Sequence, residues 1–165
     1  MRLLTLVRHA KSSWDDPSLS DFERPLNERG RRDAPLMADQ VARLIGKPDR
    51  IVTSPALRAI TTARTFAISL NIDTDALDVQ PRIYEASLAT LLTLTGRLDD
   101  DDRHVMMFGH NPGFSELAHH LARCEFDDLP TCGVVQIELA IEHWATVDER
   151  SGRVRHYLSP KQRRD

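Results

Sequence analysis

The chain has 165 residues, of which 41% are hydrophobic and 28% are charged, and its formal net charge is −3. This length suits one domain with its own hydrophobic core, so we expect a single domain over residues 1–165. The slight negative charge argues against general affinity for nucleic acid, and no apolar stretch is long enough to span a membrane. Two cysteines, Cys124 and Cys132, lack a C-x-x-C spacing, which favours a reduced, cytoplasmic setting.

The first predicted strand covers residues 3–7 and ends in Arg8 and His9. In open α/β sheets, ligands bind at the carboxyl ends of the strands. Arginine offers an always-charged fork for phosphate oxygens, and an unprotonated histidine nitrogen can attack phosphorus. Taken alone, an incidental Arg-His pair is the better interpretation, so a functional one depends on the segments that follow.

A polar, proline-containing loop is predicted over residues 15–26, before a helix over 30–45. Arg24 lies in this loop. Its guanidinium either lines the rim of a binding site or is simply solvated, and the sequence favours neither alternative.

A second strand is predicted over residues 51–53, followed by a helix over 54–70. Ser54 is the expected N-cap and Pro55 the first helical residue, which places Arg58 in the first turn. A helix N-terminus favours anions, and an arginine there would add a bidentate phosphate clamp. The alternative is a capped surface helix with a solvated arginine.

Glu85 lies at the boundary of a predicted element, just before a helix predicted over residues 87–98. Ser87 is the expected cap of that helix. A carboxylic acid near a leaving group can act as a general acid, so Glu85 is a candidate for that role.

A third strand is predicted over residues 105–108 and, like the first, is followed closely by a histidine. Gly109 allows close backbone approach, and His110 can donate a hydrogen bond to a phosphoryl oxygen. A helix over 113–122 follows, and closing strands are predicted over 134–139 and within 144–157. This alternation predicts an α/β fold, a three-layer sandwich in which helices cover both faces of a mostly parallel central sheet.

The motifs L-V-R-H-A-K-S, S-P-A-L-R-A and G-H-N-P-G, in this order, resemble those of the histidine phosphatase superfamily, which has the phosphoglycerate-mutase-like fold. Arg24-Pro25-Leu26, Gly30 and Tyr84-Glu85-Ala86 are most similar to the SixA-type phosphohistidine phosphatases of that superfamily. One departure is Ala10, where the superfamily more often has glycine.

The resemblance implies that His9 attacks phosphorus in line, while its other ring nitrogen donates to a backbone carbonyl. Arg8, Arg58 and His110 would bind the equatorial oxygens, and water would then hydrolyse the phosphohistidine intermediate. Ser12 and Asn111 either orient phosphoryl oxygens or stabilise local turns. No metal and no cofactor are expected.

Three functions compete at this point. The favoured one is a phosphatase acting on a phosphohistidine-containing protein such as a histidine phosphotransfer domain, with no nucleic-acid or membrane partner. The second is a phosphatase or mutase for small phosphate esters, and the third is a non-catalytic phosphate-binding module. The segments after Arg58 and Gly113 are too short to form a lid, so we expect an open groove, which favours the first function.

Overall fold

The computed structural model describes residues 1–161. Within them the chain forms one sheet of six strands, in the order β3-β2-β4-β1-β5-β6. The strands are β1 Arg2–Arg8, β2 Arg50–Thr53, β3 Asp78–Val79, β4 His104–Gly109, β5 Val134–Leu139 and β6 Gly152–Leu158.

Two helices cover each face of the sheet. One hydrophobic cluster packs the first two helices in chain order against one face, and a second cluster packs the next two helices against the opposite face. The fold is therefore the three-layer α/β sandwich that the sequence predicts. The helices within residues 1–158 are α1 Glu28–Leu44, α2 Leu57–Ser69, α3 Leu88–Gly96 and α4 Gly113–Leu121.

The centre of the sheet is parallel, and this arrangement sets the position of the predicted site. Strand β4 pairs in parallel with both β1 and β2, whereas β5 and β6 are antiparallel. Arg8 pairs with Gly109 at the carboxyl end of β1 and β4. The next residue on each strand is a histidine, so His9 and His110 leave the sheet side by side.

Local sequence signals explain where several helices begin. The Asn27 side chain accepts the backbone N–H of Gly30 at the start of α1, and the Ser87 side chain accepts that of Thr90 at the start of α3. A glycine is required at position 30, since a Cβ there would collide with the Lys11 carbonyl. This close approach holds α1 against the segment that follows His9.

Two local predictions are wrong. Helix α2 begins at Leu57, with Ala56 at its N-cap position and no side-chain cap, and the Ser54 hydroxyl lies against a histidine while it accepts the Ala56 N–H ahead of the helix. Residues 144–151 are not strand: Trp144 begins a short 3-10 turn, and only β6 follows. Burial of Trp144 explains this, since its indole N–H donates to the Asp102 carbonyl at 2.9 Å.

No helix in residues 1–161 combines the length and the apolar character that a membrane crossing requires.

Candidate active site

His9 lies at the carboxyl end of β1 and is only 7% exposed. Its Nδ1 is 2.8 Å from the carbonyl oxygen of Ala10. Because a carbonyl can only accept, Nδ1 carries the hydrogen and the Nε2 lone pair stays available. Burial, together with the charges of Arg58 and Arg8, lowers the pKa of His9 to about 3. At neutral pH the imidazole is therefore neutral, as a nucleophile must be.

His110 is the second histidine of the site, with its ring centroid 5.3 Å from that of His9. Its Nε2 lies 2.7 Å from the hydroxyl of Ser54, which also accepts the Ala56 N–H at 3.2 Å. The Ser54 hydrogen is best satisfied by donation to Nε2, which leaves the His110 proton on Nδ1. Burial and the Arg58 charge lower the pKa of His110 to about 4. The ring is thus a neutral donor through Nδ1.

Two arginines contribute guanidinium groups to the same edge of the sheet. Arg8 donates from Nη1 to the Leu129 carbonyl at 3.1 Å. Arg58 donates from Nη1 to the Asp21 carbonyl at 2.6 Å and from Nη2 to the Asp21 carboxylate at 3.0 Å. Each terminal nitrogen of Arg58 gives one of its two hydrogens to Asp21 and keeps the other, so the bidentate phosphate clamp stays a prediction.

Unpartnered donors mark the centre of the site. Among residues 1–161, four buried side-chain polar atoms have no hydrogen-bond partner: Arg8 Nε, Arg58 Nε, His110 Nδ1 and Gln40 Oε1. Three of the four are donors on the three residues predicted to bind a phosphoryl group. A buried donor left unpaired costs about 1–3 kcal/mol, so three of them in one site indicate an acceptor that is bound there in function.

Asp21 is a site residue that the sequence analysis missed. Besides Arg58, its carboxylate accepts from Tyr84 at 2.6 Å and from Arg24 at 3.0 Å. These bonds, that from Tyr84 first, hold the pKa of Asp21 well below its usual range. Burial and the same carboxylate raise the pKa of Tyr84 to about 12. Asp21 therefore stays ionised and fastens the loop before α1 to Arg58.

Arg24 is buried rather than solvated, so one of the two alternatives for it is wrong. It is 8% exposed, its Nη1 donates to the Ser12 hydroxyl at 2.7 Å, and its guanidinium lies 3.6 Å from the ring centre of Trp14. The structure thus places Arg24 and Ser12 together, with Asp21 linking Arg24 to Arg58. A role of either residue in binding substrate stays a prediction.

Asn111 uses both ends of its amide within the protein. Its Nδ2 donates to the Leu129 carbonyl at 2.8 Å, and its Oδ1 accepts from Ser115 at 2.8 Å. This pattern favours the alternative in which Asn111 stabilises the local chain over direct orientation of phosphoryl oxygens.

Glu85 lies at the rim of the site. Its side chain is exposed, and its backbone is left-handed, with φ of 54°. It lines a cavity of about 360 Å³ together with His110 and Glu116. A left-handed glutamate is an uncommon conformation that concentrates at functional sites. The position suits a proton donor to a leaving group, and the role of Glu85 as a general acid stays a prediction.

The sequence gives only weak indications of the roles of Asp21 and Ser54 in the site. Asp21 stands three residues before Arg24, as in a local ion pair, but the partnership with Arg58 spans 37 residues. Ser54 stands before a proline, a context that equally suits a helix cap. In residues 1–161, no group of three or more His, Cys, Asp or Glu side chains is arranged to hold a metal ion.

The model of the histidine phosphatase superfamily, branch 1, matches residues 4–104. The chain belongs to this superfamily. An uncharacterized protein of Mycobacterium tuberculosis is 31% identical over 152 residues, which cover 86% of this chain and 92% of that protein.

Solved structures place the chain with the SixA-type members of the superfamily. A proposed phosphohistidine phosphatase, SixA from Agrobacterium tumefaciens, superposes with a TM-score of 0.78 at 26% identity over 96% of this chain and 98% of its own. The protein histidine phosphatase SixA complexed with tungstate gives 0.77 at 23% over 97% and 98%. A mycobacterial glucosyl-3-phosphoglycerate phosphatase shares the fold, with 0.67 at 15% over 93% and 97%.

Proposed function

We propose that this phosphatase transfers a phosphoryl group from a protein phosphohistidine to its own His9 and then to water. The main support for this proposal is that Arg8, Arg58 and His110 each have an unpartnered donor beside a neutral His9. A phosphoryl group carries about −1.5 to −2 charges near neutral pH and offers three acceptor oxygens. Three donors and one nucleophile match that group in number and in charge.

The reaction follows from the hydrogen bonds of His9. Its Nε2 lone pair attacks phosphorus, and the bond from phosphorus to the leaving nitrogen breaks as that nitrogen keeps the electron pair and takes a proton from solvent, which the attacking water returns in the second step. Arg8, Arg58 and His110 stabilise the charge on the transferring group. Water then attacks phosphorus, the bond to Nε2 breaks, and phosphate leaves. The Nδ1–H donates to the Ala10 carbonyl throughout, which keeps the ring oriented.

Two features support a protein side chain as the phosphoryl donor. The connections that follow β2 and β4 have three residues each, 54–56 and 110–112, so neither forms a lid. The cavity beside His110 is lined by the carboxylates Glu85 and Glu116, which repel an anionic leaving group such as a glycerate. Imidazole, the leaving group of phosphohistidine, carries no negative charge.

Small phosphate esters are the second candidate, and Glu85 is the observation that favours them. Its exposed carboxyl at the rim could protonate an alkoxide, a leaving group that needs an acid. Imidazole bound to phosphorus is a better leaving group and needs less assistance.

A substrate panel tests the choice. We expect kcat/KM for a phosphorylated histidine phosphotransfer domain to exceed that for 3-phosphoglycerate and glucose phosphates. A small ester preferred by tenfold or more, about 1.4 kcal/mol, would favour the second candidate. An aryl phosphate included in the panel tests catalysis itself, since a binding module would turn over none of these compounds.

A further inference from the structure

A closed ring of hydrogen bonds lies next to the site and has no part in the mechanism above. The Ser115 hydroxyl, on α4, is 2.8 Å from Asn111 Oδ1 and 2.9 Å from the Leu129 backbone nitrogen. Asn111 Nδ2 closes the ring at 2.8 Å from the Leu129 carbonyl. Ser115 is 3% exposed and Leu129 is fully buried, so the bond between these two residues is shielded from water, whereas Asn111 is half-buried.

Donor and acceptor chemistry fixes every direction in this ring. The Leu129 carbonyl can only accept, so the amide nitrogen of Asn111 must face it and the amide oxygen must face Ser115. Ser115 accepts the Leu129 N–H, so its own hydrogen goes to Asn111. The ring is satisfied in one arrangement alone, and the hydroxyl of Ser115 is essential to it.

One member of the ring, the Leu129 carbonyl, is also the acceptor that orients Arg8. The Leu129 carbonyl, already bound by Asn111, also accepts from Arg8 Nη1 at 3.1 Å. Further along the same segment, the Cys132 N–H donates to the carbonyls of Arg8 and His9, each at 3.0 Å. The segment after α4 therefore holds both the guanidinium of Arg8 and the backbone that carries His9.

We propose that Ser115 is a positioning residue for oxyanion binding, which acts by holding the Leu129 carbonyl where it orients the Arg8 guanidinium. The inference rests on the proposed function, in which Arg8 binds the phosphoryl group. Without the hydroxyl, the Leu129 N–H and the Asn111 amide oxygen lose a buried partner, and the segment shifts to recover one. Arg8 then loses its fixed acceptor, and its free Nε is no longer aimed.

Tungstate binding to the full chain, measured by calorimetry, tests this proposal through a double-mutant cycle. We expect Ser115→Ala to weaken tungstate binding about tenfold, the scale of one well-placed hydrogen bond. The same change should have no effect in an Arg8→Ala background and should keep its tenfold effect in an Arg58→Ala background. A residue with a general structural role would weaken binding equally in both backgrounds.

Thr95→Val is the matched control. Thr95 is fully buried, and its hydroxyl donates to the Leu91 carbonyl within α3, away from Arg8. It should leave tungstate affinity unchanged even though it removes a buried hydrogen bond. If Ser115→Ala does not fold, Ser115→Cys keeps the volume with a weak hydrogen-bonding thiol, and it carries the same expectations.

The outcomes separate this inference from the proposed function. An Arg8→Ala protein that binds tungstate as well as the native protein would overturn the proposed function. Weaker binding in Arg8→Ala, together with no effect of Ser115→Ala or an equal effect in both backgrounds, would overturn the positioning role alone.

Discussion

The central strands β1 and β4 have an arginine and a histidine at each end, but the side chains at the two ends differ in their hydrogen bonding. At the amino end, Arg2 donates from Nε to the Glu142 carbonyl at 2.9 Å and from Nη1 to the Asp100 carbonyl at 2.7 Å. His104 lies 2.7 Å from the Thr5 hydroxyl. At the carboxyl end of the same two strands, Arg8 and His110 each keep a buried nitrogen without a partner.

The contrast separates a structural arginine or histidine from one available to a ligand. Neither Arg2 nor His104 is among the residues of 1–161 that have an unpartnered buried atom. At the amino end, the polar side chains bond to other parts of the protein and so hold β1 and β4 to the chain around residues 100–102 and 142–144. The carboxyl end leaves donors open, so we expect substitutions at the two ends to affect different properties.

His9→Ala should have the largest effect and reduce turnover to the background rate. No other group would stand in line with phosphorus at this strand end. The assay is hydrolysis of an aryl phosphate under saturating conditions. His104→Gln, the histidine change at the opposite end of the sheet, should retain most activity. Comparable activity of the two variants would remove the basis for the contrast.

Arg8→Ala and Arg58→Ala should each lower kcat/KM by roughly two to three powers of ten, the scale for removing a preorganised donor to a developing charge. Vanadate should inhibit the native enzyme, and chelators should not. Arg2→Ala is the control at the amino end, where the guanidinium bonds only to the protein. It should reduce the free energy of unfolding with little effect on kcat/KM. Loss of activity on chelation, restored by a divalent ion, would contradict the account.

The buried histidines should make the protein sensitive to acid. His9, His104 and His110 have pKa values of about 3, 4 and 4, all lowered by burial from 6.5. The unfolded chain therefore binds more protons below pH 6.5, so stability is full above that pH and falls as the pH drops toward about 4. One such histidine contributes roughly 2 kcal/mol of loss between pH 7 and pH 5.

Urea denaturation at pH 7 and pH 5 measures this loss. His104→Gln should reduce the difference between the two pH values by roughly 2 kcal/mol, because it removes one titrating group without touching the active site. An unchanged difference would show that His104 is already protonated in the folded protein at pH 5.

Glu85→Gln should have the smallest effect and should depend on the leaving group. Loss of a general acid reduces kcat/KM for alkyl phosphates, on the order of tenfold or more, but spares aryl phosphates, whose leaving groups are stable anions. Glu116→Gln changes the other carboxylate on the same cavity and should leave the ratio of alkyl to aryl rates unchanged. Equal losses on both substrates would make Glu85 a structural residue.

Much of the site follows from the sequence because its main residues stand at the ends of strands. The apolar runs before His9 and His110 fix two strands, and parallel pairing brings their carboxyl ends together. The partners of these residues do not follow in the same way. Asp21 meets Arg58 and Tyr84 through contacts across 37 and 63 residues, which no local pattern records.

Local rules also fail where a tertiary partner competes. The Ser54-Pro55 pair predicts Pro55 as the first helical residue, but α2 begins two residues later, at Leu57, and the Ser54 hydroxyl bonds to His110. Asn111 stabilises the chain as one of its two alternatives predicts, but one of its partners, the Leu129 carbonyl, is 18 residues away. In both cases the side chain serves a residue of the site through a contact that only the folded chain reveals.

In the proposed mechanism the Nε2 of His9 takes the phosphoryl group, and trapping the phosphoenzyme is the sharpest test of this step. The native protein would be mixed with a labelled substrate, quenched rapidly without acid, digested and analysed by mass spectrometry, with His9→Ala as the control. We expect phosphate on His9 in the native protein and none in His9→Ala. Phosphate on any other residue of the native protein, or turnover by His9→Ala, would contradict it.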